Sequence, residues 1–398
     1  MTRLENTDWI DAPTTRAVIA ALHDARPGSA RFVGGCVRNE IMGKPVDDID
    51  IATQLTPEAV IAALEAAGIR AIPTGIEHGT ITAVIDSKPF EITTLRRDVE
   101  TDGRHAVVAF TEDWAEDAAR RDFRLNALYA DPDGTLHDPT GGGLDDAKTG
   151  RVIFIGDADQ RLREDYLRIL RFYRFNAWYG AGIDPEGQAA CARQKDGLHQ
   201  IAVERIWKEL RKLLSAPDPT PAVNAMVESE VLALLLPESQ SLDGLHDLRV
   251  SETLSGVGAD PMLRLMALID RSAPSVMAVS KRLKLSNAEA DRLTMWAADN
   301  LPAVQGMTGA ELRRALYWHG KQAVVDRALT SGENVRDHLY AIRAWKRPEF
   351  PVGGEDALAA GLQGPEIGKA LRALEEWWMG EDFQPDREEL LARLAKKS

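Results

Sequence analysis

Apolar residues along the first 140 positions alternate between two periods. Thr14-Thr-Arg-Ala-Val-Ile-Ala-Ala-Leu-His-Asp-Ala25 spaces them three and four apart, which predicts a helix. Residues 31–34 form a short apolar run that predicts a first strand. Gly34-Gly35 then predicts a tight turn, and 36–43 a short helix. Residues 49–52 predict a second strand. Thr56 as N-cap, Pro57 at the first position and Gly68 at the end delimit a helix. Residues 80–86 and 89–95 are β-branched and alternating, which predicts a hairpin.

Beyond Gly141-Gly142-Gly143 the helical period takes over, apart from the apolar run 152–155. Residues 161–179 and 203–214 are long periodic segments, and Ser286-Asn-Ala-Glu289 has capping-box spacing. Pro-rich breaks fall at 216–221 and 346–354. The three glycines lack the Lys-Ser/Thr that a phosphate loop needs next, so they read as a flexible hinge. The expected class is α+β, with a mixed sheet and helices at 1–140 and helices at 141–215 and 216–398.

A chain of 398 residues, 44% of them hydrophobic, has room for two or more domains. No apolar run reaches membrane-spanning length, and residues 1–10 lack a signal-peptide pattern. Cys36 and Cys191, far apart, suit a reducing cytoplasm. A net charge of −14 argues against broad affinity for nucleic acid but permits a local basic surface.

Asp48 and Asp50 are one residue apart, so on a strand they share a face, a spacing that suits hard divalent cations and their phosphate ligands. Glu91 lies in an alternating strand. If that strand neighbours the first pair, three carboxylates converge. Arg120-Arg121-Asp122-Phe123-Arg124-Leu125-Asn126 offers arginines for a triphosphate, and Asp122 and Asn126 for sugar hydroxyls. Asp165, Arg168, Arg171 and Arg174 recur every three residues, a slanted row on a helix. Asp165 and Arg168 could face a base edge, with Arg171 and Arg174 towards phosphate. Taken singly, each cluster is also explained by a solvated loop, an exposed strand residue or internal ion pairs.

Together, in this order, the clusters resemble the class II tRNA nucleotidyltransferase and bacterial poly(A) polymerase family of the polymerase-β-like nucleotidyltransferases. The family pattern Gly-Gly-x-Val-Arg-Asp…Asp-x-Asp-x-Ala-Thr is matched by Gly34, Gly35, Val37, Arg38, Asp48, Asp50, Ala52 and Thr53. Glu91-Ile-Thr-Thr-Leu-Arg96, Arg120–Ala127, Glu164/Asp165/Arg168 and Glu204-Arg-Ile-Trp-Lys-Glu-Leu210 match later elements. Asn39 stands where the pattern has Asp, and Arg124-Leu125 replace Thr-Ile.

The resemblance implies a polymerase-β-like head at 1–140, a helical neck at 141–215 that reads the base, and a helical body and tail at 216–398 that bind tRNA. It implies template-independent addition of CCA to tRNA from CTP and ATP, with Mg²⁺ as cofactor and neither membrane nor DNA as partner. Asp48 and Asp50 would hold two Mg²⁺ ions, with Glu91 assisting. Gly35 and Arg38 would contact the triphosphate, and Gly34, Arg120, Arg121, Asp122, Asn126, Arg171 and Arg174 would share in binding the nucleotide. Asp165 and Arg168 would act as a protein template for C and then A. The stretch around Asp98, Asp102, Gly103 and Arg104 resembles the flexible loop of complete CCA-adding members. A poly(A) polymerase is the alternative, but the basic Gly-Arg-Arg-Phe element of that group is replaced by Ile76-Glu-His-Gly-Thr80. A catalytically silent RNA-binding relative is the second alternative. His246-Asp247 stands alone, without the partner histidines of a phosphohydrolase.

Overall fold

The computed structural model describes residues 2–102, 105–332, 334 and 336–395. They form two compact units, Met1–Pro237 and Glu238–Ser398.

The first unit is built on a seven-stranded mixed sheet. Its strands are β1 (Ala30–Val33), β2 (Asp50–Thr53), β3 (Arg70–Gly75), β4 (Thr80–Ile85), β5 (Lys88–Thr94), β8 (Tyr129–Ala130) and β9 (Leu136–His137), in the order β3-β4-β5-β2-β1-β8-β9. The remaining strands, β6 (Arg96–Asp102) and β7 (His105–Phe110), pair only with each other. Alternation buries Phe32, Ile51, Ile81, Ala83, Phe90 and Ile92. Helices Pro13–Ala25 and Pro57–Ala66 pack on one another and against the sheet. The second begins where expected: Thr56 accepts from the Ala59 amide at 3.4 Å and Pro57 follows.

One pairing matters most for the site. β2 runs parallel to β5, with Asp50 opposite Glu91. A parallel neighbour requires a crossover, and the helix at 57–66 with β3 and β4 supplies it.

Three expectations need correction. Residues 161–179 are not one helix but two, Ala158–Glu164 and Leu167–Tyr179. Asp165 between them is extended (φ −153°, ψ 104°), and its Oδ1 accepts from the Leu167 amide at 3.1 Å. An aspartate that bonds the backbone two residues on offers an alternative to the helix ladder, and here it wins. The 98–104 stretch is not an open loop up to Asp102: Asp98 and Asp102 lie in β6, because the apolar run at 105–110 provides an antiparallel partner. Gly103 and Arg104 lie outside the described residues. The glycines at 141–143 make a packed turn rather than a free hinge. A Cβ on Gly143 would sit 2.5 Å from the Arg124 carbonyl oxygen, and Asp138 accepts from the Gly141 and Leu144 amides at 3.1 Å each.

In the second unit every named element from Asp243 to Ala395 is helical. Ser286 and Glu289 form the expected reciprocal cap. Arg264, fully buried, donates to Glu252. No helix among the described residues is long and apolar enough to cross a membrane.

Candidate active site

A cavity of about 510 Å³ opens in the first unit. Gly34 and Gly35 form one edge, where the chain turns from β1 into helix Gly35–Ile41. Gly34 has φ 72° and ψ −117°, a conformation open to glycine alone. The turn brings Arg38, which is only 6% exposed, to the cavity wall.

Asp50 reaches the same wall. Asp48 lies exposed two residues before it, in the irregular chain that precedes β2, and its charge acts on Asp50. Glu91, in register on β5, adds a third charge. Burial, then Glu91 and Asp48, push the Asp50 carboxyl up to about 6, against the pull of Arg121 and Arg38. Asp48 and Glu91 do not line the cavity. Among the described residues no three carboxylates or histidines make a ready metal cage. That donor set still fits Mg²⁺, which keeps waters and takes one or two carboxylates together with substrate phosphates.

Basic side chains make up much of the remaining lining. Arg120 and Arg121 share one buried carboxylate, Asp117. Arg120 donates to its Oδ1 at 2.6 and 2.8 Å, and Arg121 to its Oδ2 at 3.0 and 3.3 Å. Tyr129 Oη also donates to Asp117, at 2.7 Å. Burial alone would raise the Asp117 carboxyl; the two arginines and the tyrosine outweigh it and hold it at about 2. Asp122 is arranged alike. It accepts from Arg171, from Asn126 Nδ2 at 3.0 Å and from the Phe123 amide at 2.8 Å. Asn126 passes the connection on, accepting from Arg38 Nη1 at 2.5 Å.

The helix break moves Asp165 away from its expected neighbour. Asp165 pairs with Arg205 at 3.0 Å rather than with Arg168. Arg168 donates to Glu164 at 2.6 Å and to the Arg120 carbonyl at 3.1 Å. Both still line the cavity, as do Arg171 and Arg174; Arg174 is held by Glu209 at 2.5 Å.

Twelve residues singled out from the sequence therefore meet in one cavity: Gly34, Gly35, Arg38, Asp50, Arg120, Arg121, Asp122, Asn126, Asp165, Arg168, Arg171 and Arg174. Sequence reasoning missed Arg205, Leu167 and Phe175 in the lining, and Asp117 and Glu209 behind it. Arg205 and Glu209 sit in the quoted Glu204–Leu210 element, so that signal was present without a role. Phe175 reads as core; it lies beneath Arg174 (4.3 Å), Arg38 (5.4 Å) and Arg171 (5.5 Å). Seven arginines against three aspartates in the lining make the cavity cationic within an acidic chain, a setting for a polyanion.

Residues 30–153 match the family model for the poly A polymerase head domain, and 182–242 that for the probable RNA- and SrmB-binding site of polymerase A. The human CCA tRNA nucleotidyltransferase 1, mitochondrial, is 36% identical over 384 residues, covering 92% of this chain and 86% of that protein. The CCA-adding enzyme of Lacticaseibacillus paracasei is 31% identical, with 92% of each chain covered. The crystal structure of the Bacillus stearothermophilus CCA-adding enzyme in complex with CTP superposes with a TM-score of 0.76 at 26% identity, over 97% of this chain and 98% of that one. A sheet that sets Asp50 beside Glu91, a cationic cavity and likeness over nearly the whole chain agree: the protein belongs to the CCA tRNA nucleotidyltransferase family.

Proposed function

We propose that the cavity binds CTP and then ATP, and that the chain adds CCA to the 3′ end of tRNA without a nucleic-acid template. The tRNA 3′ hydroxyl attacks the α-phosphate and gives its proton to solvent water, a new O–P bond forms, and the α–β phosphoanhydride bond breaks to release pyrophosphate. The observation that carries this reading is the joining of the Asp50/Glu91 strand pair to a wall of seven arginines in one cavity.

Nucleotidyltransferases of this family generally use divalent metal ions. The ion we assign is Mg²⁺, held by Asp48 and Asp50; when bound, it supplies charge neutralisation at the phosphate oxygens and acidifies the attacking hydroxyl. Glu91, opposite Asp50 on the neighbouring strand, assists. Arg38, Arg120 and Arg121 bind the triphosphate, with Asp117 fixing the last two. Asp122 and Asn126 hold the sugar and orient Arg171 and Arg38. Residues 1–140 carry the chemistry, 141–215 supply the base-reading side chains, and 216–398 bind tRNA by shape and phosphate contacts. Two buried free cysteines suit the cytoplasm.

Base choice falls to Asp165 and Arg168 as separate acceptor and donor groups, each steadied by its own partner, Arg205 and Glu164. A base that leaves such groups unpaired is disfavoured. Asp165→Ala is therefore expected to misincorporate U or G while binding tRNA about as well as the parent, read by sequencing the extended 3′ ends. A variant that still adds only C and A in order assigns the template role to other residues.

The β6–β7 hairpin bears on the switch from C to A, which needs one pocket to accept a larger base. Shortening it between 98 and 104 should spare C addition and lower the final A. Equal loss of both would make the hairpin a general support.

A further inference from the structure

Tyr166 stands between the two groups assigned to base choice, directly after Asp165 and shortly before Arg168. It closes the helix break. Asp165 is extended, and Tyr166 turns the chain back to helical geometry (φ −61°, ψ −16°) as the N-cap of Leu167–Tyr179. The Asp165 and Tyr166 carbonyls accept from the Arg168 and Ile169 amides at 2.9 and 3.1 Å. A shift of the Tyr166 backbone is therefore passed to Asp165 and Arg168 together. The Tyr166 side chain makes no capping hydrogen bond, so packing has to hold it.

Its packing partner is the backbone of Gly197, buried in the 3₁₀ turn Lys195–Gln200. A Cβ on Gly197 would meet Cγ, Cδ1 and Cε1 of the Tyr166 ring, all at under 3.0 Å. Carbon atoms in contact keep about 3.5–4.0 Å apart. Cγ is the root of the ring, so turning the tip away does not clear the clash; the rotamer or the backbone of Tyr166 must move. Gly197 has no positive φ, and the turn itself would accept alanine. It is the ring that requires glycine here. The same turn leads into helix Val203–Leu214, whose Arg205 holds the Asp165 carboxylate at 3.0 Å. One segment thus supports Asp165 twice, its carboxylate through Arg205 and its backbone through Tyr166 seated on Gly197.

We propose that Gly197 and Tyr166 are positioning residues for base choice: the ring seated on the glycine fixes where helix Leu167–Tyr179 begins, and with it the placement of Asp165 and Arg168. Neither residue is in the cavity lining, so both act on nucleotide selection without touching the nucleotide. The inference rests on the reading of Asp165 and Arg168 as the groups that choose the base.

The test compares the parent with Gly197→Ala, Tyr166→Ala, Tyr166→Phe and the double variant Gly197→Ala/Tyr166→Ala, each as the full chain with Mg²⁺ and a tRNA lacking CCA. The readout is the ratio of kcat/KM for CTP to that for UTP, with tRNA affinity measured alongside. A chain that is merely less stable loses both substrates alike and keeps the ratio. Gly197→Ala and Tyr166→Ala should each lower the ratio by about tenfold or more, the scale of a misplacement of about 1 Å, and leave tRNA affinity unchanged. Tyr166→Phe keeps the ring and should keep the parent ratio. The double variant should lose no more than Tyr166→Ala alone, because both changes act on one contact. A ratio unchanged in Gly197→Ala or Tyr166→Ala, a ratio as low in Tyr166→Phe as in Tyr166→Ala, or losses that multiply in the double variant would overturn the proposal. If Gly197→Ala does not fold, the two Tyr166 variants decide. An Asp165→Ala variant with the parent ratio would overturn base reading by Asp165, and this inference with it; a ratio lowered in Asp165→Ala but kept in the Gly197 and Tyr166 variants overturns this inference alone.

Discussion

Replacement of Asp50 by Asn should lower nucleotide addition by roughly 10³-fold or more, since a phosphate-clamping carboxylate carries several kcal/mol of barrier reduction. The same change should strengthen the fold when no divalent cation is present. Burial, Glu91 and Asp48 raise the Asp50 carboxyl to about 6. A group raised in this way contributes stability that is fully present below the unfolded carboxylate pKa of about 4 and is lost as pH rises through 6. At pH 8 in a chelator, the Asp50→Asn variant should therefore melt above the parent, and near pH 4 the two should converge. Thermal melts at the two pH values, set beside turnover with Mg²⁺, check both halves. Near-normal turnover would remove Asp50 from the metal site, and an apo variant less stable than the parent would contradict the charge argument.

Asp122→Ala should act in the opposite sense and cost the fold about 3–5 kcal/mol, the range for breaking a buried ion pair. The Arg171 guanidinium loses its carboxylate, and Asn126 Nδ2 and the Phe123 amide lose their acceptor. Burial on its own would raise the Asp122 carboxyl, but Arg171 and these hydrogen bonds hold it at about 2. A depressed carboxylate contributes stability above its unfolded pKa and loses it as pH falls from about 4 through 2. The urea midpoints of parent and variant should thus differ most near neutral pH and draw together towards pH 3. Nucleotide binding should weaken in the variant as well, because Asn126 and Arg38 are held through the same carboxylate. A stability loss under about 1 kcal/mol would show that water replaces the carboxylate and that the network is not needed for order.

Much of this was legible in the sequence where a local rule decides. Thr56-Pro57 starts its helix, Ser286-Glu289 caps another, and the alternating runs at 80–86 and 89–95 pair as a hairpin. The neighbouring of Glu91 and Asp50 was only conditional, because parallel pairing depends on a crossover that no local pattern reports. Asp165 defeated the periodic reading. A three-residue repeat describes a helix face only if the helix is continuous, and the aspartate's own side chain interrupts it. Asp117 and Glu209 escaped notice because a buried carboxylate resembles any helical surface acid until its arginines are known. Residues 238–398 showed helices but no chemistry, since their charge pairs, such as Arg264 with Glu252, join residues at spacings that serve folding.

The central claim is that one cavity, with no nucleic-acid template, selects C, C and then A. The most direct measurement gives the purified chain a tRNA trimmed back to the nucleotide before CCA, with Mg²⁺ and CTP, ATP, GTP or UTP, singly and together, and sequences the 3′ ends. The account predicts two C residues with CTP alone, a single A completing CCA when ATP is added, no lasting growth beyond it, and no product in a chelator. A ladder of A residues with ATP alone would contradict it in favour of poly(A) addition, and no extension with any nucleotide would contradict it in favour of a silent RNA-binding relative.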